Sequence, residues 1–419
     1  MIGKLNFFKY AIVFFVSFLL RLSIILSSDQ NFENIDLCIY RDTGQLISWR
    51  INPYNFNDSP ELRERFRNDG AHWTVFTTKS QEIWNYYASS NLPLAAIFFG
   101  VIEHLFHSGV AYRVAFAFMD SLLAVLILLF VFKRWRLGSA TKLPLNLTTN
   151  KLFAIALMLA ALSPTLIYWG VIWPEHKGTG TLLILSALYF SYSSNSLLRV
   201  GLSSVLLGLS VAFIGLGVFV APLCLYNIYR RTPGNFKSSI VYSVLSFLSC
   251  FIWFLPFIKG VLSMMSGRLT NVLVASHSSL WYIVSLGLPE QWILIRKVVL
   301  VLFLIVIAWG LLRGYISFGL FSASLLLWFV SIYLTNGSMD RANIGFVCLI
   351  VILGCEGYLS EAVLLTCLSF AYGTFYLIYY LLVGHSEIFD PIYTFVFTII
   401  YMVFIFRIVY SKKAAPAIT

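Results

Sequence analysis

Charged residues are scarce in this sequence. Lys, Arg, Asp and Glu make up 11% of its 419 residues, whereas a soluble domain typically carries about 25%. Hydrophobic residues make up 59%, and the mean hydropathy is +0.83. Because a chain this apolar cannot cover itself with polar surface, the composition excludes a soluble globular protein. It predicts an all-α polytopic membrane protein that has lipid as its solvent.

Cysteines and acidic residues are also few. Of the six cysteines, only Cys38 lies in the one large polar loop, which excludes a disulfide framework there. The formal net charge is +11, but the basic residues form short runs between apolar stretches, as the positive-inside rule predicts. We therefore expect membrane lipids as partners and no nucleic acid.

Apolar segments recur along the whole chain. A helix needs about 20 mostly apolar residues to cross a bilayer. The segments that meet or approach this length are 7–27, 110–132, 152–169, 178–193, 238–257, 296–312, 317–335, 343–359, 362–383 and 392–410. The stretch 200–229 lies between Arg199 and Arg230-Arg231, so it must cross twice or re-enter, with a hairpin near Gly215 and Gly217. The pattern predicts about 12 transmembrane helices with both termini in the cytoplasm.

The first apolar run is preceded by Lys4 and Lys9, as in a signal peptide. No small-residue cleavage site follows it, so we expect an uncleaved first span over 7–27. The single membrane domain 1–419 then continues with a large non-cytoplasmic loop, 28–109. Further spans and short loops occupy 110–410.

The segment 92–107 is apolar but carries Glu103, His104 and His107. If it crossed the membrane, every later loop would invert and most basic runs would face outward. The positive-inside rule therefore favours an in-plane helix for 92–107. In this topology only Asp120, Glu356 and Glu361 lie within or on the cytoplasmic side of the membrane, and the other fifteen of the 18 acidic residues lie outside.

The large outer loop has a recognisable order of motifs. It opens with Asn34-Ile35-Asp36 and continues through Arg41-Asp42 to Arg50-Ile51-Asn52-Pro53-Tyr54. Asn85-Tyr86-Tyr87 and Asn91-Leu92-Pro93-Leu94 follow, and Arg113 stands at the start of the next span.

This order resembles the GT-C membrane glycosyltransferases, most closely the polyprenyl-phosphate-mannose-dependent mannosyltransferases of glycosyltransferase family 87. It is also similar to the first GPI mannosyltransferase. The likeness covers about 130 N-terminal residues, and two positions depart from the pattern: Arg50 stands where glycine is usual, and Leu92 replaces the first proline. The resemblance implies a GT-C-like bundle and a polyprenyl-phosphate sugar as donor. It implies sugar transfer, with mannose favoured, to a glycan, lipid or protein acceptor.

Asp36 is the first candidate catalytic residue. Inverting glycosyl transfer needs a base for the acceptor hydroxyl, and a polyprenyl phosphate is already a good leaving group. The resemblance assigns the base role to a carboxylate at this position, near the outer membrane surface. The structural alternative is that Asp36 caps a local helix or is a solvated loop residue.

Asp42 is the second candidate. It could orient the acceptor, bind a metal together with Asp36, or pair with Arg41 or Arg50. Two carboxylates without an obvious third ligand do not favour a divalent metal. We therefore predict no metal site and no firm cofactor.

The donor phosphate needs a cation near the outer leaflet. The candidates on the later outer loops are His176, Lys177, Arg268, His277 and Arg341. Ordinary snorkelling of these side chains to the headgroups is the alternative reading.

Three further residues are structural or substrate-orienting candidates: Arg113, Tyr54 and Tyr87. Asp120 stands within the span 110–132, where a charge is costly unless it is paired or functional. A structural pairing, either with Arg113 or between helices, is favoured over chemistry for Asp120. The aromatic side chains of the outer loop are assigned to an interfacial belt rather than to sugar stacking.

Two other functions compete with a glycosyltransferase. A multispan transporter or flippase of a lipid-linked saccharide would show repeated halves with broken helices and charges near mid-membrane. An oligosaccharide polymerase or ligase would carry its large outer loop late in the chain. The compact chain favours the plasma membrane of a bacterium, within its cell envelope, over the endoplasmic reticulum.

Overall fold

Apolar stretches of this chain form helices, because a backbone surrounded by lipid must satisfy its hydrogen bonds within its own segment. A computed structural model describes residues 2–28, 35–54, 91–135, 149–193, 196–232, 235–262, 280–329, 339–383, 396, 399–400 and 402–407. We number the helices α1 Ile2–Ser27, α2 Ile35–Ser48, α3 Pro93–Phe106, α4 Gly109–Phe130, α5 Thr149–Ala156, α6 Pro164–Ile167, α7 Lys177–Tyr192, α8 Leu197–Ile214, α9 Ala221–Arg231, α10 Asn235–Phe254, α11 Leu280–Gly287, α12 Trp292–Leu312, α13 Phe318–Leu327, α14 Met339–Cys355 and α15 Leu359–Val383. Three π-helical turns extend or join these helices: Val131–Trp135, Leu157–Ala161 and Tyr168–Ile172.

Seven helical segments in these ranges are long and apolar enough to cross a membrane. They are Phe8–Ser27, Gly109–Trp135, Lys151–Ile172, Leu197–Ile214, Phe236–Leu262, Trp292–Leu312 and Leu359–Tyr379. The chain is therefore a helical membrane protein, as its composition predicts. Six of these segments coincide with predicted spans, and the seventh, Leu197–Ile214, is the first half of the predicted double pass.

The remaining predicted spans have less support. Residues 178–193 fall on α7, which has 16 residues. Predicted spans 317–335 and 343–359 fall on the shorter apolar helices Phe318–Leu327 and Gly345–Cys355. Most of 392–410 lies outside the described residues, so the predicted total of spans stays a prediction.

A helix break occurs where the sequence predicts a hairpin. Helix α8 ends at Ile214, and Gly215 has a φ of 77°, a left-handed conformation that glycine adopts without steric cost. A 3-10 turn over Leu216–Phe219 leads into α9. The predicted break at Gly215 is confirmed. Whether the two helices each cross the membrane remains a prediction.

Helices α1 and α4 run antiparallel, so the end of α1 lies beside the start of α4. At that end Arg113, near the start of α4, donates to the Ser28 hydroxyl just after α1, at 2.7 Å. At the other end the Lys9 ammonium lies 5.9 Å from the Phe132 ring centroid. Helix α7 packs against α4 and α8. The end that holds Arg113 also carries the start of α7, where Tyr40 of α2 and Phe99 of α3 pack against His176.

Helices α2 and α3 of the first loop pack closely on each other. A side chain added at Gly44 would place its Cβ 2.5 Å from the Tyr112 hydroxyl oxygen and 2.7 Å from the Phe99 carbonyl oxygen. The Tyr112 hydroxyl itself donates to that carbonyl at 3.0 Å. The absence of a side chain at Gly44 thus lets α2 approach both α3 and the start of α4.

We expect Gly44→Ala to lower stability by about 1–3 kcal/mol, because the added methyl group must displace backbone as well as a side chain. The thermal unfolding midpoint of the detergent-solubilised protein measures this loss. Gly201→Ala is the matched control, since a Cβ there meets no atom within 4 Å. Equal midpoints for the two variants would contradict the close packing of α2 on α3.

The segment predicted as an in-plane helix over 92–107 is helical over Pro93–Phe106. Pro93 occupies the first helical position, where a missing N–H has no cost. The helix ends at His107, which adopts a left-handed φ of 47°. Its orientation relative to the membrane stays a prediction.

Candidate functional site

Asp36 lies in the first turn of α2. An acidic side chain at this position interacts favourably with the positive end of the helix dipole. The Asp36 side chain is half-buried. Its carboxylate is therefore held at the end of the bundle and still accessible to a ligand.

The segment 173–177, which joins the π-helical turn Tyr168–Ile172 to α7, contacts Asp36 directly. The Trp173 indole N–H donates to Asp36 Oδ2 at 2.9 Å. The Trp173 backbone N–H donates in turn to the Tyr168 carbonyl at 2.7 Å, which closes the π-helical turn. Such turns occur often at functional sites because they re-aim the residues that follow them.

Glu175 gathers several polar groups behind this contact. The Tyr40 hydroxyl donates a hydrogen bond to Glu175 Oε2. The Lys177 ammonium donates to the same oxygen at 2.7 Å, and His176 Nδ1 lies 3.9 Å from it. Because Glu175 is only 6% exposed, its charge is balanced by these neighbours rather than by water.

His176 and Lys177, both predicted to bind phosphate, have different surroundings. The His176 ring is buried, with the Tyr40, Phe99 and Phe213 ring centroids at 5.0, 5.4 and 5.6 Å. Lys177 is more accessible, with 15% of its side chain exposed. Of the two, Lys177 is thus better situated to reach an anion outside the protein.

Asp42 lies nearly two turns further along α2 and is 4% exposed. It and Glu103 both act electrostatically on the Tyr112 hydroxyl. Arg41, one of the pairing partners predicted for Asp42, has its Nε 3.7 Å from Glu103 Oε2. Asp42 is therefore part of a buried polar layer between α2, α3 and α4, beneath the more exposed Asp36.

Arg113 and Tyr54 join segments of the chain. Arg113 is 2% exposed, and its Nε donates to the Val171 carbonyl at 3.2 Å. The Tyr54 hydroxyl donates to the Asn91 carbonyl at 2.6 Å, which ties the Pro-Tyr turn to the residues just before α3. These contacts support a structural role for both side chains.

Asp120 pairs between helices, which was one of the two predicted arrangements. Its Oδ2 lies 3.9 Å from Arg21 Nε in α1, and both side chains are buried. The other predicted arrangement, a pair with Arg113, is wrong, because Arg113 turns toward Ser28 and Val171. Gly170 and Gly178 leave space for the Asp120 carboxylate, since a Cβ at either position would overlap it.

The other candidates cannot be placed at this site. Tyr87, Arg268 and His277 lie outside the described residues. Arg341 belongs to the first turn of α14, but its side chain is also outside them. No group of three or more His, Cys, Asp or Glu side chains that could hold a metal occurs in the ranges that the structure describes.

No protein-family model and no characterised protein matches this chain. The likeness to GT-C glycosyltransferases therefore rests on the first-loop residues alone.

Trp173 and Glu175 are site residues to which sequence reasoning assigned no role. The sequence feature that could have indicated them is the polar run Trp173-Pro174-Glu175-His176-Lys177 between two apolar segments. From this run, only His176 and Lys177 were selected, as potential cations. Chemically, the assembled site offers one accessible carboxylate at Asp36. Lys177 lies on the segment 173–177, whose Trp173 donates to this carboxylate.

Proposed function

We propose that this protein is a membrane glycosyltransferase of the hexosyltransferase type. It transfers a sugar, with mannose favoured, from a polyprenyl-phosphate donor to an acceptor hydroxyl on the non-cytoplasmic face. The acceptor oxygen attacks the anomeric carbon and gives its proton to Asp36. The bond from that carbon to the phosphate oxygen breaks, and polyprenyl phosphate leaves with inversion at the anomeric carbon.

The contact between Asp36 and Trp173 is the observation that carries this proposal. A general base must be held in position and must remain accessible to the proton that it accepts. The Trp173 indole N–H is the one hydrogen-bond donor to the Asp36 carboxylate within the described part of the chain. One carboxylate oxygen is thereby anchored, and the half-buried side chain leaves the other oxygen for an acceptor hydroxyl.

Lys177 supplies a positive charge on the segment 173–177, whose first residue, Trp173, contacts the Asp36 carboxylate. It begins α7, four residues after Trp173. A lysine ammonium recognises phosphate as a point charge. In the proposed reaction Lys177 faces the donor phosphate, while Glu175 and Tyr40 fix the segment that carries it. Arg268, His277 and Arg341 remain proposed as further phosphate contacts.

The proposed topology follows the GT-C pattern. It has about 12 transmembrane helices, α3 lying in the membrane plane, and both termini in the cytoplasm. The candidate site then faces the periplasmic side of a bacterial inner membrane.

Incubation of the purified, reconstituted protein with a panel of polyprenyl-phosphate sugars and a mixture of glycan, glycolipid and peptide acceptors tests this function. One donor is expected to yield a new glycoside, which mass spectrometry detects. Intact donor with every acceptor class, from protein shown to be folded, would contradict the proposal.

A flippase of a lipid-linked saccharide is the second candidate, and the buried Arg21–Asp120 pair favours it. Charges inside spanning helices are uncommon and often mark transport pathways. The two candidates differ in whether free polyprenyl phosphate is released. A flippase releases none, because it moves its donor across the bilayer without breaking the bond between sugar and phosphate.

Trp173→Phe is expected to lower the turnover number about 10-fold to 100-fold, because a hydrogen bond to a charged group is worth about 1.5–3 kcal/mol. Phenylalanine keeps the ring packing but removes the indole N–H that holds Asp36. Trp169→Phe is the matched control, since Trp169 lies in the preceding π-helical turn and its indole N–H donates to no group among the described residues. Initial rates at saturating donor measure the effect. Equal rates for the two variants would exclude a positioning role for the Trp173 N–H.

A further inference from the structure

A second candidate site lies at the end of the bundle opposite to Asp36. Helix α4 starts beside the candidate active site and continues through the π-helical turn Val131–Trp135. At 1.5 Å per residue, this places Arg134 about 30 Å along the helix from Arg113. A cavity of about 680 Å³ opens there. Its lining residues are Phe132, Lys133, Arg134, Tyr189, Phe190, Ser193 and Arg199.

The described lining of the cavity is positively charged. Lys133, Arg134 and Arg199 line it, and no acidic side chain is among its described lining residues. Within the described ranges, neither Lys133 nor Arg134 has a carboxylate within 4.0 Å. Lys133 and Arg134 are adjacent cations on one concave surface, and they repel each other unless an anion joins them. The charge distribution therefore favours an anionic ligand.

Arg134 is held in place before any ligand arrives. Its guanidinium carbon lies 6.0 Å from the Tyr189 ring centroid and 5.8 Å from that of Tyr192. It also donates a hydrogen bond to the Ser193 hydroxyl. Its Nε is buried and has no hydrogen-bond partner among the described residues. A guanidinium fixed in this way loses little conformational entropy when it binds phosphate.

Arg231 adds a further positive charge next to Tyr192, the residue that also contacts Arg134. Its guanidinium carbon lies 5.5 Å from the Tyr192 ring centroid, and it donates to the Tyr192 carbonyl at 2.8 Å. The nearby acid is Glu356, whose Oε1 accepts from the Tyr192 hydroxyl at 3.3 Å. Glu356 therefore contacts Tyr192, and it is not among the described residues that line the cavity.

The cavity also has apolar walls. Phe132, Tyr189 and Phe190 lie beside the cations. The cavity sits at the end of a membrane-spanning segment, which is the level of lipid headgroups. A ligand that fits both surfaces has a phosphate attached to an apolar body.

We infer that this cavity binds a phosphate group, supplied by the headgroup of an anionic phospholipid. The site lies on the face opposite to the proposed sugar transfer, so it is distinct from the donor site. In the proposed topology it faces the cytoplasm, where anionic headgroups attract basic residues.

Lipid titration of the delipidated full-length protein, followed by thermal unfolding and native mass spectrometry, tests this inference. Phosphatidylglycerol is expected to raise the unfolding midpoint and to remain bound in the spectrometer, whereas phosphatidylcholine does neither. Inorganic phosphate is the third arm. A midpoint shift with inorganic phosphate that equals the shift with phosphatidylglycerol would overturn the assignment to lipid.

Substitution of the exposed cations separates binding from folding. Lys133→Gln combined with Arg199→Gln is expected to weaken phosphatidylglycerol binding about 10-fold to 100-fold, as for the loss of charge-assisted hydrogen bonds. Both side chains are exposed, so the fold should persist. Arg313→Gln is the control, because Arg313 is an exposed cation on the same predicted face and does not line the cavity. Unchanged binding in the double variant, or equal weakening in the control, would overturn the inference.

Discussion

Asp36→Asn is expected to lower the rate of sugar transfer by about 10²–10⁴-fold, the usual contribution of a general base. Asparagine has nearly the same shape and can still accept the indole N–H of Trp173. It cannot take the proton of the acceptor hydroxyl. The turnover number should therefore fall, while the Michaelis constant for the donor changes little.

Glu290→Gln is the matched control for this variant. Glu290 is an exposed carboxylate in the turn just before α12, on the same predicted face, and it does not line the candidate site. Both variants lose one negative charge, so any general effect on insertion or on donor attraction appears in both. Full activity of Asp36→Asn would remove Asp36 as the base.

Asp120→Asn is expected to destabilise the fold by about 3 kcal/mol, because it leaves the buried Arg21 without its counter-charge. The remaining described partners of Arg21 are neutral: the Ser17 hydroxyl at 2.6 Å, the Ser17 carbonyl at 3.3 Å, and the Ala161 and Ala160 carbonyls at 3.0 and 3.3 Å. The unfolding midpoint of the purified protein in detergent measures the loss.

A double variant distinguishes the ion pair from other roles of Asp120. Arg21→Met removes the buried charge and keeps an unbranched side chain that can pack in the same apolar space. Combined with Asp120→Asn, it should recover at least half of the lost stability, since neither helix then buries a lone charge. Full stability of Asp120→Asn alone would contradict the pairing. A stable Asp120→Asn variant that fails to transport a lipid-linked saccharide would favour the flippase.

The long apolar helices were predictable from the sequence, because hydropathy over about 20 residues is a local property, whereas the total of about 12 spans stays a prediction. The helix break at Gly215 was predicted from the arginines that flank 200–229, and the break is observed, whereas a second crossing of the membrane stays a prediction. Helix α7 was harder to predict, because Lys177, Gly178 and Gly180 at its start interrupt the apolar run. It nevertheless forms a buried helix between α4 and α8.

The contacts of the candidate site were not predictable in the same way. Asp36 was selected for its position after the first span, but its partner Trp173 is 137 residues away. The pair of Asp120 with Arg21 depends on which helices pack together, and no local pattern of charge gives that information. Glu175 was missed because its charge is balanced only in the folded chain, by Tyr40 and Lys177.

The most direct test of the central claim is the stoichiometry of bond cleavage. Purified wild-type protein and Asp36→Asn are reconstituted in vesicles with a polyprenyl-phosphate sugar and its acceptor, and free polyprenyl phosphate and new glycoside are both quantified. Sugar transfer predicts that wild-type protein forms the two products in equal amounts and that Asp36→Asn forms neither. Movement of intact donor across the bilayer, with no polyprenyl phosphate released by wild-type protein, would contradict the proposed function.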